Sequence, residues 1–185
     1  MSLRAFDLSA AAFDTVVTFC KMDHWKDDPS MQNLLPMAYQ SLASATNGMG
    51  KTMEAIEIMH KAISLIDSWA DVKSNARGYS RAVANANLGQ MYNRIGDERA
   101  LDCFNKAVDG VTHPETGEVF HLRLLVRVLL SKATYFSRAG NQALNLKTLE
   151  EINGILDKEI YINGKVELLL ESAALHVNTT AALCR

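Results

Sequence analysis

The chain has 185 residues, of which 48% are apolar and 22% charged, and this balance predicts one folded, soluble domain. The longest apolar stretch, residues 122–130, is interrupted by Arg123 and Arg127, so no segment approaches the roughly 20 apolar residues of a membrane span. The net charge of −2 argues against a nucleic-acid-binding domain, which is usually strongly basic.

Apolar residues at spacings of three and four predict eight helices joined by short turns. The first begins near Ser9, which we expect to be its N-cap, and the second covers residues 28–45, with Asp28 as cap and Pro29 at the first helical position. The remaining helices are predicted over residues 52–69, 76–95, 98–111, 118–139, 142–158 and 164–183. Only residues 159–162 look strand-like, and they are too few to seed a sheet. The predicted fold class is therefore all-α.

The predicted turns recur at a regular interval. Gly50, Gly96 and Gly140 lie 46 and 44 residues apart. A period in this range is typical of helical hairpins that stack into a solenoid. One hairpin cannot bury its apolar face alone, so neighbouring hairpins must pack on each other.

The clearest repeat has Leu88, Gly89 and Tyr92 on its first helix, then Gly96-Asp97, and then the pattern Ala100-x-x-x-Phe104-x-x-Ala107. This arrangement resembles a tetratricopeptide repeat, in which small residues let two helices approach and large residues fill the space between them. Weaker copies are Leu35-Pro36-x-x-Tyr39 with Ala55-x-x-x-Met59-x-x-Ala62, and Ala133-x-x-Phe136 before Gly140.

The resemblance implies a right-handed superhelix of antiparallel helix pairs that forms a single domain over residues 1–185. Its hairpins would be residues 28–70, 76–111 and 118–158. Residues 1–27 and 164–185 would be capping helices. Proteins of this family bind other proteins or peptides in a concave groove that the first helix of each pair lines.

Residues 45–52, Ala-Thr-Asn-Gly-Met-Gly-Lys-Thr, satisfy the loose pattern of a phosphate-binding loop, in which Lys51 and Thr52 would contact phosphates and Mg²⁺. A helix is predicted after this segment, but the buried strand that should precede it is not. We interpret Gly48 and Gly50 as the end of one helix and Thr52 as the cap of the next. The five histidines lack metal-ligand spacing, so the sequence predicts no metal, no cofactor and no enzymatic activity.

Charge is distributed unevenly along the chain. Residues 76–139 hold nine Lys/Arg and six Asp/Glu, whereas residues 1–75 hold six and nine. The predicted helix over residues 76–95 and the segment 119–139 carry cations and no acidic residue. If the family geometry holds, both helices face the groove, and the groove is basic. Alternatively, these arginines are solvated side chains whose stems cover apolar surface.

Residues at groove-facing positions of the family pattern are our candidate peptide-binding residues. Arg94 and Arg138 each lie two residues after the aromatic residue of their repeat, so they occupy equivalent positions. Arginine pairs with carboxylates through two parallel hydrogen bonds, so an acidic peptide is the expected ligand. The candidate set is Asn87, Gln90, Asn93, Arg94, Arg127, Thr134 and Arg138.

The sequence thus predicts a protein-interaction module that binds an acidic or C-terminal peptide segment, or a neighbouring domain. An alternative is a regulatory or sensor piece of a larger signalling or transcription protein, and a third hypothesis is nucleotide binding through Lys51 and Thr52. Neither nucleic acid nor membrane is an expected partner, and homodimerisation through the end helices is left open. Three cysteines without a C-x-x-C pair, together with Asp7 and Asp14 in the N-terminal apolar run, indicate a cytoplasmic location.

Overall fold

A computed structural model describes residues 3–25, 27–68, 75–112, 121–158, 168–175 and 179. Most of the residues in these ranges lie in helices, and no strand occurs among them, which confirms the predicted all-α class. The helices are α1 (Leu3–Cys20), α2 (Pro29–Gly48), α3 (Thr52–Asp67), α4 (Asn75–Arg94), α5 (Arg99–Asp109), α6 (Leu122–Arg138) and α7 (Gln142–Lys158). An eighth helical stretch, here α8, covers residues 168–175. No helix in the described part of the chain is both long and apolar enough to cross a bilayer.

The helices pack as three successive hairpins, α2 with α3, α4 with α5, and α6 with α7. Each hairpin contacts the next, because α3 packs on α4 and α5 packs on α6. The first helices also touch one another, α2 with α4 and α4 with α6, and α1 packs along α2. This packing is consistent with the predicted stack of helical hairpins.

Of the helix caps predicted at Asp28 and Ser9, the first is confirmed and the second is wrong. Asp28 caps α2 as predicted, since its carboxylate accepts the backbone N–H of Ser30 at 2.7 Å. Ser9 is not a cap: α1 begins at Leu3, and the Ser9 hydroxyl donates to the carbonyl four residues earlier at 2.9 Å. The helix extends towards the N-terminus because Phe6 packs directly on Gly48 of α2, where an added Cβ would lie 2.4 Å from its ring.

The three periodic glycines close the hairpin-forming turns in the same way. Gly50, Gly96 and Gly140 have φ values of 85°, 74° and 72°, a conformation that glycine adopts without a steric penalty. In each turn the N–H of the following residue bonds the carbonyl five positions earlier, at 3.2, 2.9 and 2.9 Å. This hydrogen bond is the 6→1 closure of a Schellman motif, which satisfies a carbonyl at the helix end. The sequence period therefore corresponds to a repeated turn structure.

Residues of the repeat motif lie in the core where the helices meet. Tyr92 is 2% exposed, and Phe104 and Ala107 are completely buried. Gly89 lies so close to Phe104 that a Cβ at position 89 would be 2.6 Å from the ring. The small residue of the motif thus permits close approach of α4 and α5, and the large residue fills the space beside it.

Several predicted features lie outside the described residues. They are the strand-like residues 159–162, the connection predicted at residues 113–117, residues 118–120 at the start of the helix predicted over 118–139, and the parts of the C-terminal capping segment other than residues 168–175 and 179.

Candidate binding groove

A groove runs along the first helices of the hairpins, between α1 at one end and α8 at the other. Its middle section is a cavity of about 460 Å³ between α4 and α6. A second cavity of about 530 Å³ lies between α1, α2 and α4, and a third of about 530 Å³ lies between α4, α6 and α8. The middle cavity shares Tyr79, Val83 and Asn87 with the second, and Gln90 and Arg127 with the third. The three cavities therefore form one continuous groove.

Four of the seven candidate residues line this groove. Asn87 and Gln90 come from one face of α4, and Arg127 and Thr134 come from α6. The amide of Gln90 donates to the hydroxyl of Ser131 at 3.1 Å, which links α4 to α6 across the groove floor. The helical period thus brings these four side chains to one surface.

The other three candidates, Asn93, Arg94 and Arg138, do not line the three cavities. The guanidinium of Arg94 donates to the backbone carbonyl of Asn47, near the end of α2, at 3.0 Å. In the same way, Arg138 donates to the carbonyl of Asn93, near the end of α4, at 3.4 Å. The two arginines are equivalent, as their spacing indicates. Each supplies a donor and a positive charge to the C-terminal end of the preceding first helix, which carries partial negative charge.

Other cations of α4 and α6 also contact neighbouring helices. Arg77 donates to the carbonyl of Asp67 at the end of α3 at 2.7 Å, and Arg81 pairs with the Asp67 carboxylate at 3.3 Å. Lys132 of α6 donates to the side-chain carbonyl of Asn105 in α5 at 2.9 Å. These contacts direct much of the positive charge of the two helices towards adjacent hairpins.

The charge that lines the groove varies along its length. Arg123 and Arg127 are the arginines among the lining residues, and both belong to α6. Glu171 of α8 adds a carboxylate to the third cavity. The described residues that line the α1–α2–α4 cavity include no charged side chain; two phenylalanines, Phe6 and Phe13, line it with a series of hydroxyl and amide groups. The groove is therefore basic on α6 and neutral towards α1.

Sequence reasoning missed the contribution of α1 and α2 to this surface. Met37, Gln40, Ser41 and Ser44 line the second cavity from α2. Their spacing of three, one and three residues places them on one helical face, and the polar side chains at positions 40, 41 and 44 are the sequence signal for it. The contribution of α1 was missed because that helix was interpreted only as a cap.

A chain of side-chain contacts joins the first two hairpins beside the groove-forming helices. The Arg99 guanidinium lies 4.3 Å from the centroid of the Tyr92 ring and 2.6 Å from an Asp97 carboxylate oxygen. The Tyr92 hydroxyl contacts Nε2 of His60 in α3 at 3.0 Å. Hydrogen bonds from Arg99 lower the pKa of Asp97 to about 2, and burial raises the pKa of Tyr92. These groups fix the turn after α4 against α3.

The segment that resembles a phosphate-binding loop is mostly helical. Residues 45–48 are the last residues of α2, so their N–H groups are used within the helix. Thr52 is 7% exposed and donates its hydroxyl to the Asn47 side chain at 3.0 Å, and Lys51 lies 3.8 Å from Glu54. As interpreted from the sequence, Gly48 and Gly50 mark the end of a helix. Thr52 itself is the first residue of α3, and the N-cap position is occupied by Lys51.

Titratable and nucleophilic groups elsewhere are dispersed. Within the described ranges, no three His, Cys, Asp or Glu side chains converge as a metal site requires. Cys20 and Cys103 are buried free thiols, and burial raises the pKa of Cys103 to about 11. A thiol with that pKa is protonated at neutral pH and is a poor nucleophile.

Comparisons with known proteins give no match, whether to family models, to curated proteins or to solved structures.

Proposed function

We propose that the chain is a protein-interaction module that binds an extended peptide segment, acidic or ending in a free carboxylate, along the groove. The single observation that carries the proposal is the continuity of the groove across α2, α4 and α6. Asn87, Gln90 and Arg127 stand at the junctions of its three cavities. A peptide lying in the groove would contact these residues in succession.

The chemistry of these side chains suits a peptide ligand. An extended peptide presents unpaired N–H and C=O groups, and the amides of Asn87 and Gln90 can donate to and accept from both. Arg127 offers a planar fork of donors that matches a carboxylate. Hydroxyl and amide groups along α2 extend the same kind of surface towards α1. Catalysis needs a positioned nucleophile, base or metal, and the proposal requires none of these.

The same groove would serve a neighbouring domain if the chain is a piece of a larger regulatory protein. That occupant would present a loop or tail with the same acidic character. The two versions of the proposal differ only in whether the ligand belongs to the same polypeptide.

Binding can be measured by fluorescence anisotropy with a labelled library of acidic peptides that end in a free carboxylate. A matched library has Gln and Asn in place of Glu and Asp and an amidated C-terminus. We expect the acidic library to bind and the neutral library to bind much more weakly. A hydrogen bond to a charged group contributes about 1.5–3 kcal/mol, so Arg127→Glu should raise the dissociation constant by about 10- to 150-fold.

Two further variants make the test specific. Lys147→Glu makes the same charge change on an exposed position of α7, away from the groove, and should leave binding unchanged. Arg127→Lys keeps the charge but loses the paired geometry, and should give an intermediate affinity. Equal affinity of wild type and Arg127→Glu for the acidic library, with both folded by circular dichroism, would refute the proposal. Equal binding of the two libraries would refute the preference for acidic ligands.

A further inference from the structure

The cavity between α1, α2 and α4 is lined by two kinds of side chain. Phe6 and Phe13 of α1 supply apolar surface, together with Met37 and Tyr79, which are 58% and 40% exposed. Serine hydroxyls and two side-chain amides supply polar groups, and they belong to Ser9, Gln40, Ser41, Ser44, Ser80 and Asn87. None of the described residues that line this cavity is charged. The lining therefore suits an uncharged group that has an apolar body and one polar end.

Hydrogen bonds that two of these serines already make determine what the cavity offers to a ligand. The Ser9 hydroxyl donates to the carbonyl of Ala5 at 2.9 Å, and the Ser44 hydroxyl donates to the carbonyl of Gln40 at 2.9 Å. A serine hydroxyl has one proton to donate and two lone pairs that accept. Because both protons are bonded within α1 and α2, these two serines have only acceptors left for a ligand. A ligand group that donates a hydrogen bond is therefore matched better than one that only accepts.

An aromatic ring that ends in a hydroxyl meets these conditions. We infer that the cavity is a pocket for a tyrosine side chain of the peptide that lies in the groove. The ring packs against Phe6 and Phe13, and the phenol hydroxyl donates to a serine oxygen. The same hydroxyl can accept from the amide of Gln40 or Asn87, which the indole N–H of a tryptophan cannot do. The inference rests on the proposed function, because the tyrosine belongs to the same peptide.

This pocket and the basic part of the groove select different groups. The pocket shares Tyr79, Val83 and Asn87 with the middle cavity, which Arg123 and Arg127 line from α6. A carboxylate in the pocket would have no cation among the described lining residues, and it would face serine oxygens that have no proton to give. A peptide therefore places its tyrosine towards α1 and its carboxylate towards α6.

The pocket can be tested with a small probe, without a peptide. p-Cresol reproduces the side chain of tyrosine, and 4-methylanisole has in place of the hydroxyl an ether oxygen that only accepts. Each is titrated into the full chain, and backbone amide signals are followed by NMR. We expect p-cresol to shift signals of residues around the pocket and to bind about 2- to 12-fold more tightly than 4-methylanisole, the factor for one hydrogen bond. Equal affinities, or shifts confined to other regions, would overturn the inference.

Serine variants test the hydrogen bond itself. Ser9→Ala/Ser44→Ala removes both acceptors, and the helices should persist because alanine is the better helix former. The double variant should lose the preference for p-cresol over 4-methylanisole. Ser64→Ala is the matched control, since Ser64 is an exposed serine of α3 that does not line the pocket, and it should keep the preference. With all variants folded by circular dichroism, a preference that survives in the double variant would contradict the inference.

Peptides separate failure of the pocket from failure of the proposed function. Acidic peptides with a single tyrosine at successive positions are compared with peptides that have phenylalanine at the same positions. At the best position, phenylalanine should weaken binding about 2- to 12-fold, because the hydroxyl is absent. Acidic peptides that bind equally with either residue at every position would overturn the pocket and leave the proposed function intact. If no acidic peptide binds while p-cresol keeps its preference, the proposed function fails and the selectivity of the pocket for a phenol stands.

Discussion

Replacing Gly89 with alanine tests the close approach of α4 and α5, on which the repeat packing depends. An added Cβ would lie 2.6 Å from Cε1 and 2.8 Å from Cδ1 of Phe104, and 3.2 Å from the carbonyl oxygen of Ala100. Phe104 is completely buried, so its ring has no solvent into which it could move. We therefore expect the helices to be forced apart or the ring to be strained.

Two effects of opposite sign decide how much Gly89→Ala changes the free energy of unfolding. Alanine is favoured over glycine inside a helix by about 1 kcal/mol. Overpacking a well-filled core costs about 1–3 kcal/mol. Gly154 isolates the first effect, because it also lies within a helix, α7, and an added Cβ there would have no neighbour within 4 Å. Gly154→Ala should therefore be more stable than Gly89→Ala by about 1–3 kcal/mol.

The assay is urea unfolding followed by circular dichroism, with wild type, both alanine variants and Phe104→Leu. The smaller leucine should relieve the clash, so Gly89→Ala should cost less in the Phe104→Leu background. A coupling free energy of about 0.5–3 kcal/mol is expected for residues in contact. If Gly89→Ala proves as stabilising as Gly154→Ala, or if its effect is unchanged by Phe104→Leu, the close approach does not limit the packing, and this reasoning is wrong.

Three further predictions concern ionisation and ligand binding. The pKa of Asp97 is about 2 in the fold against an ordinary value of 3.8, so its ionised form contributes stability above the ordinary pKa that is lost as the pH falls through 2. The melting temperature of wild type should therefore exceed that of Asp97→Asn near neutral pH, and the difference should shrink as the pH approaches 2. Because burial raises the pKa of Cys103 to about 11, iodoacetamide should label it far more slowly in the folded chain than in urea, as followed by peptide mass spectrometry. Saturating Mg-ATP should leave the melting temperature unchanged; a rise that Lys51→Ala abolishes would instead support nucleotide binding, since ligand at 100 times its dissociation constant adds about 2.7 kcal/mol.

Helix boundaries and turns were accessible from the sequence because their signals are local. The run after Gly140 was predicted as residues 142–158, and α7 has the same bounds. Asp28 and Pro29 mark the start of α2, since capping and the fixed φ of proline act within one turn. The prediction that Ser9 caps α1 is wrong because the packing of Phe6 on α2 extends α1 past Ser9 towards the N-terminus.

The candidate site was only partly accessible from the sequence. Asn87, Gln90, Arg127 and Thr134 line the groove because the helical period determines which residues share a face. The period does not tell which neighbour a long side chain reaches. Arg94, for that reason, was assigned to the groove from sequence, although it contacts the end of α2.

By itself, the sequence determined the all-α class, the succession of helices and the glycine turns, because each depends on contacts within about one helical turn. Tertiary structure decided that α1 forms a wall of the groove and that Arg123 and Arg127 supply its lining arginines. These features depend on how separate helices are placed against one another. Residues distant in sequence decide that placement, through the close packing of side chains such as Phe104 against Gly89.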